Sequence, residues 1–410
     1  MNQTKKYNEA RLPNGLRIIH ETSDSDVVYC GYVVCAGTRH EEEKDTGMAH
    51  FLEHMSFKGT SHRKSYHISN GLERVGGDLN AYTNKQETVY YATVLRDDFL
   101  RAVDILSDMI FHSTYPQIEI NKEVEVICDE IDSYRDSPAD LIFDEFEAMV
   151  FKGHPLGRDI LGSAERLRTY RTADAQRFAS KYYVPSNCVF FVLGNLDFKK
   201  IVKAVEKYTI ELLGSEVLKP AQPLPVYEPM ERIVDKETHQ VHVIIGGRAF
   251  GGNDGRRFDM FLLNNILGGP GMNSRLNMSL REKAGLVYSV DSSYSVYPDT
   301  GAWSIYFGCD HDDLDKCRRL VLKELKKMID KKLSSAQLAA AKKQLKGQVG
   351  ISCDSSENYA LAMGKTYALY GLHRDVPKLK QAIDDLTSES LQETASEVLN
   401  PDGVTTLIYR

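Results

Sequence analysis

The second half of this chain repeats the first at an offset of about 210 residues, and a chain that repeats itself in this way folds as two related units. Residues 241–245 form a β-branched run like residues 27–35. Residues 259–269 overlay the stretch around His50, with Met260, Leu263 and Asn264 at the positions of His50, Glu53 and His54. Leu280-Arg281-Glu282 then pairs with Leu72-Glu73-Arg74, and Gly285-Leu286-Val287-Tyr288 with Gly77-Asp78-Leu79-Asn80. Between the copies, residues 214–229 hold four of the thirteen prolines, a composition that suits an extended linker and neither a central strand nor a helix interior. The expected division is therefore a first domain over 1–213, a linker over 214–229 and a homologous domain over 230–410.

Chemistry concentrates in the first copy. Read as a helix over about residues 46–57, Gly47-Met-Ala-His50-Phe-Leu-Glu53-His54-Met-Ser-Phe-Lys-Gly59 stacks His50 and His54 one turn apart on a single face, with Glu53 beside them. Two imidazoles so placed can hold one divalent cation. A zinc ion with an open coordination position lowers the pKa of its bound water to about 7, and a neighbouring carboxylate can take the proton. The competing reading is a solvated polar helix face. Against it, Ala49, Phe51, Leu52, Met55 and Phe57 surround the trio, and buried His and Glu side chains need partners, which a metal supplies. Since the second copy replaces all three residues, one metal site per chain is expected.

The rest of the chain reads as alternating strands and helices. Strands are expected near residues 16–20, 27–35, 78–83, 87–94, 188–194, 241–245 and 404–409, where β-branched and aromatic residues gather. Apolar residues recur at helical spacing over 96–111, 117–133 and 139–150, and Lys- and Leu-rich residues 314–345 predict a pair of amphipathic surface helices. Glu123 and Glu130 fall seven residues apart on one helix face, Asp140 and Asp144 one turn apart on another.

Composition excludes several classes. With 51 basic and 58 acidic residues, net −7, neither a nucleic-acid nor an anionic-membrane surface is expected as the main partner. The seven cysteines lack any Cys-x-x-Cys pair and read as small buried residues of a reducing compartment. No apolar run reaches membrane-spanning length, and no Gly-rich phosphate loop points to a nucleotide enzyme. The expectation is a soluble, cytoplasmic protein.

Taken together, the motifs resemble those of the pitrilysin/insulinase superfamily of metallopeptidases, peptidase family M16, in its mitochondrial-processing-peptidase-like branch, whose His-x-x-Glu-His order is the inverzincin signature. They are His50-Phe-Leu-Glu53-His54-Met-Ser-Phe-Lys-Gly-Thr60, Gly76-Gly-Asp-Leu-Asn-Ala-Tyr-Thr83, Glu123-Val-Glu-Val-Ile-Cys-Asp-Glu130-Ile131, His154-Pro-Leu-Gly-Arg158 and Leu280-Arg-Glu-Lys-Ala-Gly-Leu-Val-Tyr288. The resemblance spans nearly the whole chain. It implies an α+β fold of two homologous αβ domains, each an antiparallel-rich sheet flanked by helices, forming half of a clamshell.

By the same resemblance Glu130 is the third zinc ligand beside His50 and His54, Glu53 the general base, and Glu123 a support for the ligands. Asn80 and Ala81 lie on the strand edge that receives the peptide substrate as an added strand. Arg281 and Tyr288 match a pair that binds the substrate carbonyl from the opposite half of longer family members. This chain is half that length and carries both sets, which implies a homodimer in which Arg281 and Tyr288 complete the site of the other subunit, inside a shared chamber. Asp140 and Asp144 match acidic residues that recognise an arginine near the cleavage point, implying a preference for basic peptides. Residues 268–273 are shorter than the Gly-rich loop of the presequence-binding subunit, so presequence removal is not implied. The alternative is a non-catalytic structural or assembly subunit; loss of the ligands or the base would mark it, and all are present.

Overall fold

The structure, a computed structural model, describes residues 7–214 and 222–410. Residues 215–221 of the expected linker lie outside the described residues. The strands of the first half are β1 (Tyr7–Arg11), β2 (Arg17–Glu21), β3 (Val27–Val34), β4 (Asp78–Thr83), β5 (Thr88–Leu95) and β6 (Cys188–Leu193). Those of the second are β7 (Glu231–Val234), β8 (Val241–Ala249), β9 (Val287–Val296), β10 (Gly301–Cys309) and β11 (Thr405–Tyr409). The first sheet has the order β1-β2-β6-β3-β5-β4 and the second β7-β11-β8-β10-β9. In each sheet one pairing is parallel, β2 with β6 and β7 with β11, and the others are antiparallel.

The two orders superpose strand for strand once β1 is set aside, so the repeat seen in the residues is a repeat of topology. The fold is α+β, as expected. Helices α1 (Met48–Met55), α2 (Ser65–Glu73), α3 (Phe99–Phe111), α4 (Gln117–Arg135) and α5 (Pro138–Val150) follow in the first half. In the second, the helix Arg257–Gly268 stands at the topological position of α1.

Every residue of β6 is buried, because both faces of the first sheet are covered. The pleat divides the side chains between two cores. Tyr32 and Val34 of β3, with Phe190 and Val192 of β6, pack among residues of α1, α3 and α4. Val33, Val189 and Phe191 point the other way and meet Ala360, Met363 and Tyr367 of the helix Ser356–Tyr370. That helix comes from the far half of the sequence. The second sheet shows the reciprocal arrangement: Ile142, Phe146 and Val150 of α5 pack against Ile244, Leu407 and Tyr409.

Among the described residues, one compact unit therefore draws on the chain up to Asp132, Arg158–Gln222 and Ser352–Arg374, and the other on Ser133–Gly157, Pro223–Ile351 and Asp375–Arg410. The division at 214–229 separates the sheets, whereas the compact units exchange a helix each. Of the expected surface pair after residue 314, the helix Leu314–Asp330 buries one face through Cys317, Val321, Leu325 and Met328, while Ser335–Ser352 buries no residue. Six of the seven cysteines are buried, and Cys353 is half-buried.

The exchanged helix offers a test of packing. A Cβ added at Gly364 would stand 2.5 Å from Cδ1 and 2.8 Å from Cγ of Phe191, on the central strand beneath it. Gly364→Ala is expected to lower stability by about 1–3 kcal/mol, since overpacking a closed core displaces helix or ring. Urea unfolding followed by circular dichroism measures it, and a wild-type midpoint would rule out this close approach.

Candidate metal centre

Helix α1 starts at Gly47, whose φ of 86° lies in the left-handed region. A side chain there would also strike Leu161 O at 2.8 Å and Gly162 Cα at 2.9 Å, so the position requires glycine. From this start seven of the eight residues of α1 are buried, His50 and Glu53 among them, and His54 is half-buried. The polar trio thus sits inside the first unit.

Across from it, α4 presents Glu130. Its Oε2 lies 3.9 Å from His50 Nε2 and 3.7 Å from His54 Nε2, and the two imidazole centroids are 4.6 Å apart. One donor atom from each of the three residues falls within 4.8 Å of the others. These separations are too long for hydrogen bonds. They suit atoms facing a shared ion, because ligands on a tetrahedral zinc with bonds of about 2.0–2.1 Å stand about 3.3 Å apart. The donor set fits zinc, with two imidazoles, one carboxylate and a position left for water.

The protonation states agree with that use. Burial, with the neighbouring His54, pushes the His50 pKa down to about 3, so its ring is neutral and able to ligate near pH 7. His54 Nδ1 lies 2.9 Å from Glu123 Oε1, and Lys58 Nζ lies 2.6 Å from Glu123 Oε2. A carboxylate accepts, so Nδ1 carries a proton, and in the neutral ring Nε2 keeps its lone pair toward Glu130. Burial favours the neutral forms of both partners, but the bond to Glu123 with the charges of Glu53, Glu123 and Glu130 raises His54, and the His54 and Lys58 contacts lower Glu123.

Glu53 faces the opposite balance. Burial raises its pKa, and the hydroxyl of Thr83, donating to Oε2 at 2.6 Å, works against the rise. Thr83 ends β4, the edge strand, which among the described residues pairs with β5 alone. Asn80 and Ala81 lie on the same strand, Asn80 exposed and Ala81 half-buried, opposite Tyr91 and Tyr90. One hydrogen bond therefore links the unpaired sheet edge to the carboxylate beside the metal ligands.

The remaining expected site residues belong to the second unit. Arg281 lies in the π-helical turn Asn277–Glu282, and its guanidinium stands 5.8 Å from the ring centroid of Tyr288 on edge strand β9. The Tyr288 side chain is 86% exposed, which leaves its hydroxyl available to a ligand. On α5, Asp140 is exposed and accepts the Ser137 hydroxyl at 2.5 Å, and Asp144 is half-buried. At the position equivalent to α1, Met260 and Leu263 are core residues and Asn264 is hydrogen-bonded to Ser292. The structure thus brings His50, His54, Glu130, Glu53 and Glu123 together in one unit, and Arg281 with Tyr288 in the other. Lys58 and Thr83 join the site unannounced; both lie inside motifs already quoted, but neither residue type signals a partner by itself.

Two family models match the chain, one over the metal ligands and one over Arg281 and Tyr288. Residues 17–164 match the family model for insulinase, peptidase family M16, and residues 171–345 match that for the peptidase M16 inactive domain. An uncharacterized zinc protease of Bacillus subtilis is 34% identical over 398 residues, covering 96% of each chain.

The chain belongs to peptidase family M16.

A second M16 relative, an uncharacterized zinc protease of Rickettsia felis, is 34% identical over 405 residues, 97% of this chain and 96% of that one. The crystal structure of a protease from Helicobacter pylori has the same fold, with a TM-score of 0.91, 21% identity and 99% coverage of both chains. So does a peptidase M16 inactive domain from Pseudomonas fluorescens, with a TM-score of 0.91, 18% identity and 98% coverage of both chains. No helix among the described residues of this M16 chain is long and apolar enough to cross a membrane.

Proposed function

We propose that this chain is a zinc-dependent metalloendopeptidase of the processing-peptidase-like branch, with its metal held by His50, His54 and Glu130. The observation that carries the reading is the convergence of those three donor atoms within 4.8 Å beside the buried Glu53. A zinc ion held by these residues would supply Lewis acidity toward a carbonyl oxygen and lower the pKa of bound water. The chain's own residues do the rest. Glu53, oriented by Thr83, takes a proton from the attacking water and returns it to the leaving amine. The backbone of Asn80 and Ala81 pairs with the peptide as an added strand on β4. Glu123 fixes the ring and tautomer of His54.

Arg281 and Tyr288 complete the proposal by donating hydrogen bonds to the carbonyl oxygen as it gains charge, from the second subunit of a homodimer that encloses the peptide. Arg281→Gln and Tyr288→Phe are each expected to lower kcat by about 10²–10³-fold with KM nearly unchanged, because the bonds form at the oxyanion. Asp140 and Asp144 are assigned to basic side chains of the substrate. Asp140→Asn combined with Asp144→Asn should weaken any preference for Arg-containing peptides.

Chelation tests the core of the reading. Treatment with 1,10-phenanthroline should abolish cleavage of a mixed peptide library, and one equivalent of zinc per chain should restore it. Pure protein that binds zinc and cleaves nothing would instead place the chain among non-catalytic subunits.

A further inference from the structure

His50 and His54 differ in how they are held. Glu123 orients the His54 ring directly, as the second nitrogen of a metal-ligating histidine is usually oriented. His50 Nδ1 is buried and has no hydrogen-bond partner among the described residues. No hydrogen bond at Nδ1 aims this ring. Its direction is then set by the backbone that carries it, at the third residue of a two-turn helix.

That backbone is held by Glu41. The Glu41 side chain is buried, with 3% exposure, and lies outside every motif that marks the metal centre. Its Oε2 accepts the N–H of Gly47 at 2.9 Å and its Oε1 accepts the N–H of Ala49 at 2.9 Å. Gly47 has no side chain with which to cap the helix, so these free amides would otherwise lack a partner. A negative group at this end also suits the helix dipole. Arg158 in turn donates to the Glu41 carbonyl, and Tyr170 Oη donates to Thr46 O at 2.8 Å, fixing the segment between Glu41 and the helix. Burial pushes the Glu41 pKa up to about 8 against the pull of the two amides and Arg158. Acceptance by both oxygens suits the ionised form.

We propose that Glu41 is the positioning residue for His50: through the Gly47 and Ala49 amides it gives His50 the fixed aim that Glu123 gives His54 through its ring. The proposal rests on the assignment of His50 as a metal ligand. Glu41→Gln keeps the volume but turns an N–H₂ donor toward one of two N–H donors, so one amide loses its acceptor and the start of α1 shifts.

The experiment measures zinc affinity of Glu41→Gln and of Glu41→Asp, too short to span both amides, by competition with a chromophoric chelator. The visible spectrum of the cobalt-substituted proteins is recorded alongside, with His50→Ala as control. Zinc affinity about 10–100-fold weaker than wild type, the usual range for residues behind metal ligands, is expected for Glu41→Gln, with an altered cobalt spectrum and native circular dichroism. Wild-type affinity and spectrum in both Glu41 variants, while His50→Ala loses the metal, would overturn the positioning role alone. A His50→Ala protein that binds zinc like wild type would overturn the ligand assignment beneath it. Loss of the whole fold in Glu41→Gln also counts against the proposal, because two turns of misaimed helix leave the sheet and its cores standing.

Discussion

Glu53→Gln is expected to retain a full equivalent of zinc and to lose peptide hydrolysis by about 10²–10⁴-fold, the range general bases contribute. The amide has the size of the carboxylate, and its oxygen still accepts the Thr83 hydroxyl, which in the native protein reaches Glu53 at 2.6 Å. The packing of α1 is therefore preserved while the proton acceptor is removed. Metal analysis and steady-state kinetics on the same preparation separate the outcomes. Retained activity would remove Glu53 from the mechanism, and loss of zinc together with activity would make it a structural residue.

The second large effect concerns the proposed dimer. Equal amounts of inactive Glu53→Gln and inactive Arg281→Gln protein, unfolded together and refolded, should recover about a quarter of wild-type activity. Half of the randomly assorted dimers then contain one chain of each kind. In these, one of two sites joins an intact zinc centre from one subunit to an intact Arg281 from the other. The gain is read against near-zero backgrounds, so it is large in ratio. If Arg281 serves the metal centre of its own chain, no mixture regains activity, since every site lacks one of the two groups.

Much of the fold could be read from the residues because the repeat is written in apolar patterning. The β-branched runs that became β3 and β8 occupy equivalent places in their sheets, and Met260, Leu263 and Asn264 stand where the metal helix stood. The exchanged helices could not be read this way. The periodicity of Ile142, Phe146 and Val150 shows which side of α5 is apolar, but either sheet could cover that side. The same holds for Ala360, Met363 and Tyr367. At the metal centre, His50, Glu53 and His54 announce themselves by helical spacing, whereas Glu130 lies 76 residues beyond His54 and could be found only through resemblance. Glu41 carries no local signal, because what it binds is backbone, and backbone amides have no sequence.

The measurement closest to the central claim is X-ray diffraction from crystals of zinc-loaded protein, with data collected on both sides of the zinc absorption edge. The account predicts one anomalous peak per chain, about 2.0–2.2 Å from His50 Nε2, His54 Nε2 and a Glu130 carboxylate oxygen. A zinc peak elsewhere, or none at these three side chains in protein that still cleaves peptides, would contradict it.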